Sequence, residues 1–276
     1  MASIGAGVCL STGGIALRLV EEADGWQILG YRGGALGLAI FLWCGVKYGR
    51  RLPAVMWQMG RAGLLGAFAI GFAAICYVFA ILNTTVANTV VILSLAPLAA
   101  ALLAWLILRE PVSRSTLLSL VFAVVGVVIM FADGLTTGGT LGIVIALGAV
   151  ACFSIFIVSL RAGKDVDMIP AIGASGLVTF VIAAVMAPDL VVSARDATIG
   201  IGLGVVQLAL GYVCLAVAAR HIAAAHVSVL ALCEVPLAPL WVWLGTGEAP
   251  TVWAAIGAAV VLSAVGAQAL RGIRAR

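Results

Sequence analysis

Glu234 stands inside the apolar run "ALCEVPLAPLW", residues 231–241. An ionised carboxylate near a bilayer centre costs about 2.5–3.5 kcal/mol even on lenient scales. Such a group must face the protein interior or a wet cavity, or else carry a proton. Two readings follow. Glu234 is a ligand for a substrate amine or a proton-carrying site, or it is a structural carboxyl satisfied by backbone amides where Pro236 and Pro239 break the helix.

Other polar residues sit at similar depth in apolar runs: Ser11, Thr12, Ser94, Ser154 and Gln207. With Glu234 they form a convergent set, although isolated hydroxyls in membrane helices also serve as interhelical glue or bond back to their own helix. Tyr77, Trp105, Phe153, Phe156, Tyr212, Trp241 and Trp243 lie deep in their runs. An aromatic-lined pocket would suit an apolar or aromatic side chain on a substrate, and packing is the alternative role. Arg32 lies about six residues into its run, roughly 9 Å from the end. Its long side chain can snorkel to the outer interface, or it can partner an anion or carboxylate inside a cavity mouth. Trp26, Trp57 and Trp253, at run ends, read as interfacial anchors.

Enzyme chemistry finds little support. Neither HExxH nor GxSxG occurs, and no GxxxxGK[ST] loop is present to bind a nucleotide phosphate. His221 and His226 are five apart, off one helical face, without a Cys or Asp beside them. The six cysteines (Cys9, Cys44, Cys76, Cys152, Cys214 and Cys233) are scattered through apolar runs and read as small core residues. No metal, cofactor or nucleic acid is expected.

These residues need helices to hold them, and composition says what kind. The 276 residues are 64% hydrophobic and 9% charged, and mean hydropathy is +1.25. Soluble domains carry roughly 25% charged residues, so the chain reads as a polytopic membrane protein in contact with lipid. The runs are continuously apolar, which implies helices and not a barrel. Ten spans are expected, at roughly 2–20, 26–46, 60–82, 87–108, 115–132, 139–160, 168–187, 198–219, 226–245 and 251–270. Met1 to Val8 has no basic region, so no cleavable signal peptide is expected.

Twelve of the fifteen basic residues fall on one side if the N-terminus is cytoplasmic: Lys47, Arg50, Arg51, Arg61, Arg109, Arg114, Arg161, Lys164, Arg220, Arg271, Arg274 and Arg276. Arg18, Arg32 and Arg195 remain for the other. Both termini are therefore expected inside, in a bacterial inner membrane.

The chain also repeats. "LSLAPLAAALLAWLILREPVS", from Leu93, lies over "LCEVPLAPLWVWLGTGEAPT", from Leu232, with Pro97 over Pro236. Each ends in a glutamate and a nearby proline: Glu110 with Pro111, and Glu248 with Pro250. "CLSTGGIALR" from Cys9 similarly matches "CFSIFIVSLR" from Cys152. The unit is five spans long, residues 1–134 and 135–276, and an odd number forces opposite orientations. Inverted repeats mark secondary transporters, with the site near the midplane between them.

Across essentially its whole length the sequence resembles the EamA-type drug/metabolite transporters, most specifically in "APLAAALLAWLILREP" and "EVPLAPLWVWLGTGEAP". The resemblance implies ten helices and a central cavity lined by spans one, three, four, six, eight and nine, where the polar set falls. It also implies small-metabolite export, with the YddG-like aromatic amino-acid exporters among similar members. The expected substrate is a small amphipathic molecule. An amino acid with an aromatic or large apolar side chain fits best, its ammonium at Glu234, and a lipophilic cation or other metabolite is the alternative. The chain is expected to act as a monomer. In "GYRGGALG", Gly30/Gly34 and Gly33/Gly37 are read as close helix contacts within one chain.

Overall fold

The computed structural model describes residues 2–13, 16, 19–135, 139–246 and 251–274. Arg18, Glu248, Pro250 and Arg276 lie outside these, as do the side chains of Asp133, Arg271 and Arg274.

The helices are α1 (Ala2–Ser11), α2 (Gly25–Tyr48), α3 (Leu52–Gln58), α4 (Gly60–Asn83), α5 (Val86–Leu93), α6 (Ala96–Leu103) and α7 (Arg114–Met130). They continue with α8 (Thr140–Ala162), α9 (Ile169–Met186), α10 (Ala194–Gly202), α11 (Leu210–His221), α12 (Ala224–Ala231), α13 (Glu234–Thr246) and α14 (Val252–Arg274). Among the described residues there is no strand. Eight helical segments are long and apolar enough to cross a membrane, and Ala2–Ser11 and Arg114–Met130 are apolar but shorter. The chain is an all-helical, multi-pass membrane protein. Helix occurs in each of the ten expected spans, and for the first and fifth it is these shorter helices that occupy them.

Local sequence sets the ends. Asp24 and Gln27 exchange side-chain and backbone bonds at 2.8 and 2.9 Å, a capping box that starts α2. Thr85, Ser113 and Ser193 cap the starts of α5, α7 and α10 by accepting from the backbone N–H three residues on. Two starts lie in mid-span. Pro97 and Pro236 have no N–H, and each ring crowds the carbonyl four residues back, of Leu93 and Leu232. The helix breaks there, at Ser94–Leu95 between α5 and α6 and at Leu232–Cys233 between α12 and α13. Pro239 was expected to break the chain as well. It does not: α13 runs through it. Only one turn into the helix, it forfeits one backbone bond, to Val235, while the break one turn earlier has already been made.

The main packing pairs are α4 on α8, α2 on α9 and α7 on α14, followed by α4 on α9 and α1 on α11. α6 also meets α8, α1 meets α13, and α2 meets α10. Small residues allow these approaches. A Cβ on Gly176 of α9 would stand 2.5 Å from Gly37 N and 2.6 Å from Gly33 O of α2. One on Gly257 of α14 would stand 2.4 Å from Gly126 O of α7. Gly33 and Gly37 thus serve contacts within one chain. The outer surface exposes large apolar side chains such as Leu38, Leu42, Phe68, Phe122 and Leu244, as lipid contact requires.

Candidate functional site

The two helix breaks hold the centre. Gly7 of α1 packs directly on the second: a Cβ there would meet Ala231 O at 3.0 Å and Glu234 N at 3.2 Å. Glu234 opens α13 in its first turn. It is enclosed by protein, yet keeps part of its surface accessible. Among the described residues, no amide or side chain hydrogen-bonds its carboxylate. Tyr77 of α4 and Tyr212 of α11 each lie within electrostatic range of Glu234 and also of Arg32.

Of the two places open to Arg32, the interface and a cavity, the structure gives it the interior. It is 6% exposed, and its Nε and Nη1 are buried with no partner. The reason is the α2–α9 contact, which is too close at Gly33 and Gly37 to release a long side chain along that face. Arg32 borders a cavity of about 10 Å³ together with Ile70, Ser175, Thr179, Leu208 and Tyr212.

The hydroxyls are mostly committed. Ser11 Oγ donates to Val8 O at 2.7 Å and accepts from Trp241 Nε1 at 2.8 Å, joining α1 to α13. Thr12 Oγ1 donates to Cys9 O at 2.8 Å. Ser94 Oγ, at the first break, bonds back to Val91 O of α5 at 2.6 Å. Ser154 Oγ approaches Val150 O at 2.7 Å and Ala96 O at 3.0 Å, tying α8 to the first residue after the first break. With their protons on backbone carbonyls, these serines are braces and not activated nucleophiles.

Gln207 lies on a π-helical stretch, Leu203–Ala209, between α10 and α11. Such stretches often mark functional positions. Its Nε2 donates to Leu10 O at 2.9 Å, and its buried Oε1 has no partner. Phe153 is half-buried against Phe156, centroids 6.3 Å apart. Phe156 is fully buried and meets Tyr212 edge-on at 5.4 Å. The structure thus connects Ser11 with Trp241 by a hydrogen bond, and brings Tyr77 and Tyr212 within electrostatic range of Glu234.

Residues 1–132 match the EamA-like transporter family. This EamA-like stretch covers α1 to α7, including the first break and Glu110. No curated protein matches the chain. A solved crystal structure superposes with a TM-score of 0.85 over 98% of this chain and 96% of its own, at 16% identity. At that identity the likeness shows the fold alone.

Two deep aromatics point the wrong way for a pathway. Trp105 is 55% exposed and Trp243 46%. Trp105 shares its helical face with exposed Leu102 and Leu106, so it faces lipid. Trp57 and Trp253 are exposed near helix ends, whereas Trp26 packs on Phe79 with centroids 4.5 Å apart. Among described residues, no group of three or more His, Cys, Asp and Glu could hold a metal.

Sequence reading missed several partners. Ser175 and Thr179 went unnoticed, although a Ser–Thr pair four apart in apolar α9 was a visible signal. Thr116 also escaped notice: it stands 3.4 Å from His226 Nε2 and accepts from Gln268 at 3.2 Å. Asp196 accepts from the backbone N–H groups of Glu21, Glu22 and Ala23 at 3.2, 3.0 and 3.0 Å. At the other end, Asp167 accepts from Tyr48, Ile169 N and Lys47. Burial pushes its carboxyl up, but those hydrogen bonds outweigh burial and hold it below the usual range.

Proposed function

We propose that this protein is a secondary transporter of small amphipathic metabolites, amino acids with aromatic or large apolar side chains foremost. Two five-span repeats, 1–134 and 135–276, alternate access to a site between them. The observation that carries this reading is the pair of matched breaks, at Ser94–Leu95 and Leu232–Cys233, each just before a buried proline. Broken helices in corresponding positions of two halves are where transporters bind cargo. The packing supports the repeats. Exchanging the first five spans with the last five turns α4 on α8 into α11 on α1, α6 on α8 into α13 on α1, and α4 on α9 into α10 on α2.

Glu234 is the ammonium site. Among the described residues no backbone amide hydrogen-bonds its carboxylate, and part of its surface is accessible, which supports a ligand-binding role over a structural one. Tyr77, Tyr212 and Trp241 supply an aromatic wall, and Gln207 Oε1 offers a free acceptor. The match to EamA-like transporters supports transport as the class. Uptake of labelled phenylalanine and leucine into proteoliposomes, beside a lipophilic cation and a nucleotide sugar, tests it. Movement of the cation alone would replace the amino acid by a multidrug-type cargo. Movement of none would overturn the reading.

A further inference from the structure

We infer that Arg32 is the carboxylate anchor of the substrate site, so that the protein selects molecules bearing a carboxylate. The inference rests on the transporter reading above and names the opposite end of the cargo from Glu234. A buried guanidinium with nothing to bind is expensive in the interior of a membrane protein, and it persists where a ligand completes it. Arg32 is such a group: 94% of its surface is covered, with Nε and Nη1 unpaired. Nε and Nη1 each belong to a different carboxylate-gripping edge of the guanidinium, the side-on and the end-on, and neither edge is taken by a protein acceptor at these atoms.

What surrounds Arg32 is suited to an anion. Ser175 and Thr179, on the same cavity, have their hydroxyl protons on Ile172 O and Ser175 O at 2.7 and 3.0 Å, so they must turn to donate to an anion, and the Arg32 guanidinium is the donor already free. Among the described residues no acidic side chain borders the cavity. Tyr212 does border it, and its phenol is also within range of Glu234. The anionic end of a zwitterion can therefore sit at Arg32 while its ammonium reaches toward Glu234 past Tyr212 and Tyr77. At about 10 Å³ the cavity has room for a single water in this conformation. A carboxylate enters only when α2 and α11 separate, the movement that alternating access supplies.

The test uses the full-length protein in detergent and in proteoliposomes, as parent, Arg32→Gln, Arg32→Lys and Glu234→Gln. The probes are phenylacetate, phenethylamine, phenylalanine and chloride. Phenylacetate should raise the melting temperature of the parent and of Glu234→Gln, and leave Arg32→Gln unmoved. Phenylalanine uptake should fall at least tenfold in Arg32→Gln. Arg32→Lys, a point charge in place of a fork, should bind phenylacetate about tenfold more weakly but keep the preference for it over phenethylamine. The lysine variant preserves the test if the glutamine variant does not fold. Equal protection by phenylacetate in parent and Arg32→Gln, or none in the parent, overturns the inference. So does protection by chloride alone, which would assign the cavity to an inorganic ion. Arg32-dependent phenylacetate protection without phenylalanine uptake would sink the amino-acid cargo and leave the anchor standing. Undiminished uptake in Arg32→Gln would do the reverse.

Discussion

Arg161 Nε donates to Glu110 Oε1 at 2.5 Å, while Arg161 Nη1 donates to Ala219 O at 3.1 Å and Arg220 O at 3.4 Å. The other oxygen of Glu110 accepts from Ala224 N at 3.4 Å. One ion pair thus joins the segment after α6, the last turn of α8, the last turn of α11 and the first residue of α12. Cation at helix C-terminus and anion at helix N-terminus both suit the helix dipoles. Four helical segments meet at this point, one from residues 1–134 and three from residues 135–276.

Breaking the pair should loosen that end. Glu110→Gln leaves a largely covered guanidinium without its counter-ion and should lower stability by about 1–3 kcal/mol. Exchanging the two (Glu110→Arg with Arg161→Glu) should rescue only part, since a glutamate cannot donate to the carbonyls of Ala219 and Arg220. Melting of the detergent-purified variants checks both. Full rescue by the exchange would show that those carbonyl bonds contribute nothing.

Glu234→Gln keeps shape and removes charge. The variant should remain folded by gel filtration, and uptake should fall or lose its pH dependence. An unchanged rate and an unchanged pH profile together would return Glu234 to a structural role.

Orientation can be read by labelling. Single cysteines in the 47–51 loop and near Arg274, in a cysteine-free background, should react only from the cytoplasmic face. Reaction of both from outside would invert the topology, and opposite results for the two would undo the count of spans.

Gly176→Leu should prevent close packing of α9 on α2. The atoms in the way are backbone, Gly37 N and Gly33 O, so no rotamer change relieves the clash and the helices must part. The expected loss is about 3 kcal/mol or more, seen as a lower melting temperature or lost expression. A parent-like melting curve would mean that the contact yields.

Asp167 gives a pH signature. Its carboxyl titrates below the usual range in the folded protein, so its stabilisation is complete above the unfolded value of about 3.9 and is lost as pH falls through the folded one. Asp167→Asn should therefore melt lower than the parent at neutral pH, with the gap closing below about pH 4. A gap that is constant from pH 7 to pH 3 would assign the difference to packing alone.

Sequence alone determined the solvent and the segmentation. A membrane core accepts only helices whose backbones satisfy themselves, so apolar runs with polar ends give element type and position directly, and the missing N–H of Pro97 and Pro236 marks where breaks occur, although that of Pro239 makes none. The depth of Glu234 was legible for the same reason. Tertiary structure decided everything that depends on which way a side chain turns. Arg32 reads as interfacial by distance along its helix, and is buried because Gly33 and Gly37 bring α9 against it. Trp105 and Trp243 lie as deep as Tyr77 and Trp241, yet they face lipid. Apolar residues surround every span on all sides, so no amphipathic stripe tells the inward face from the outward one. Only the packing of the neighbouring helices makes that choice.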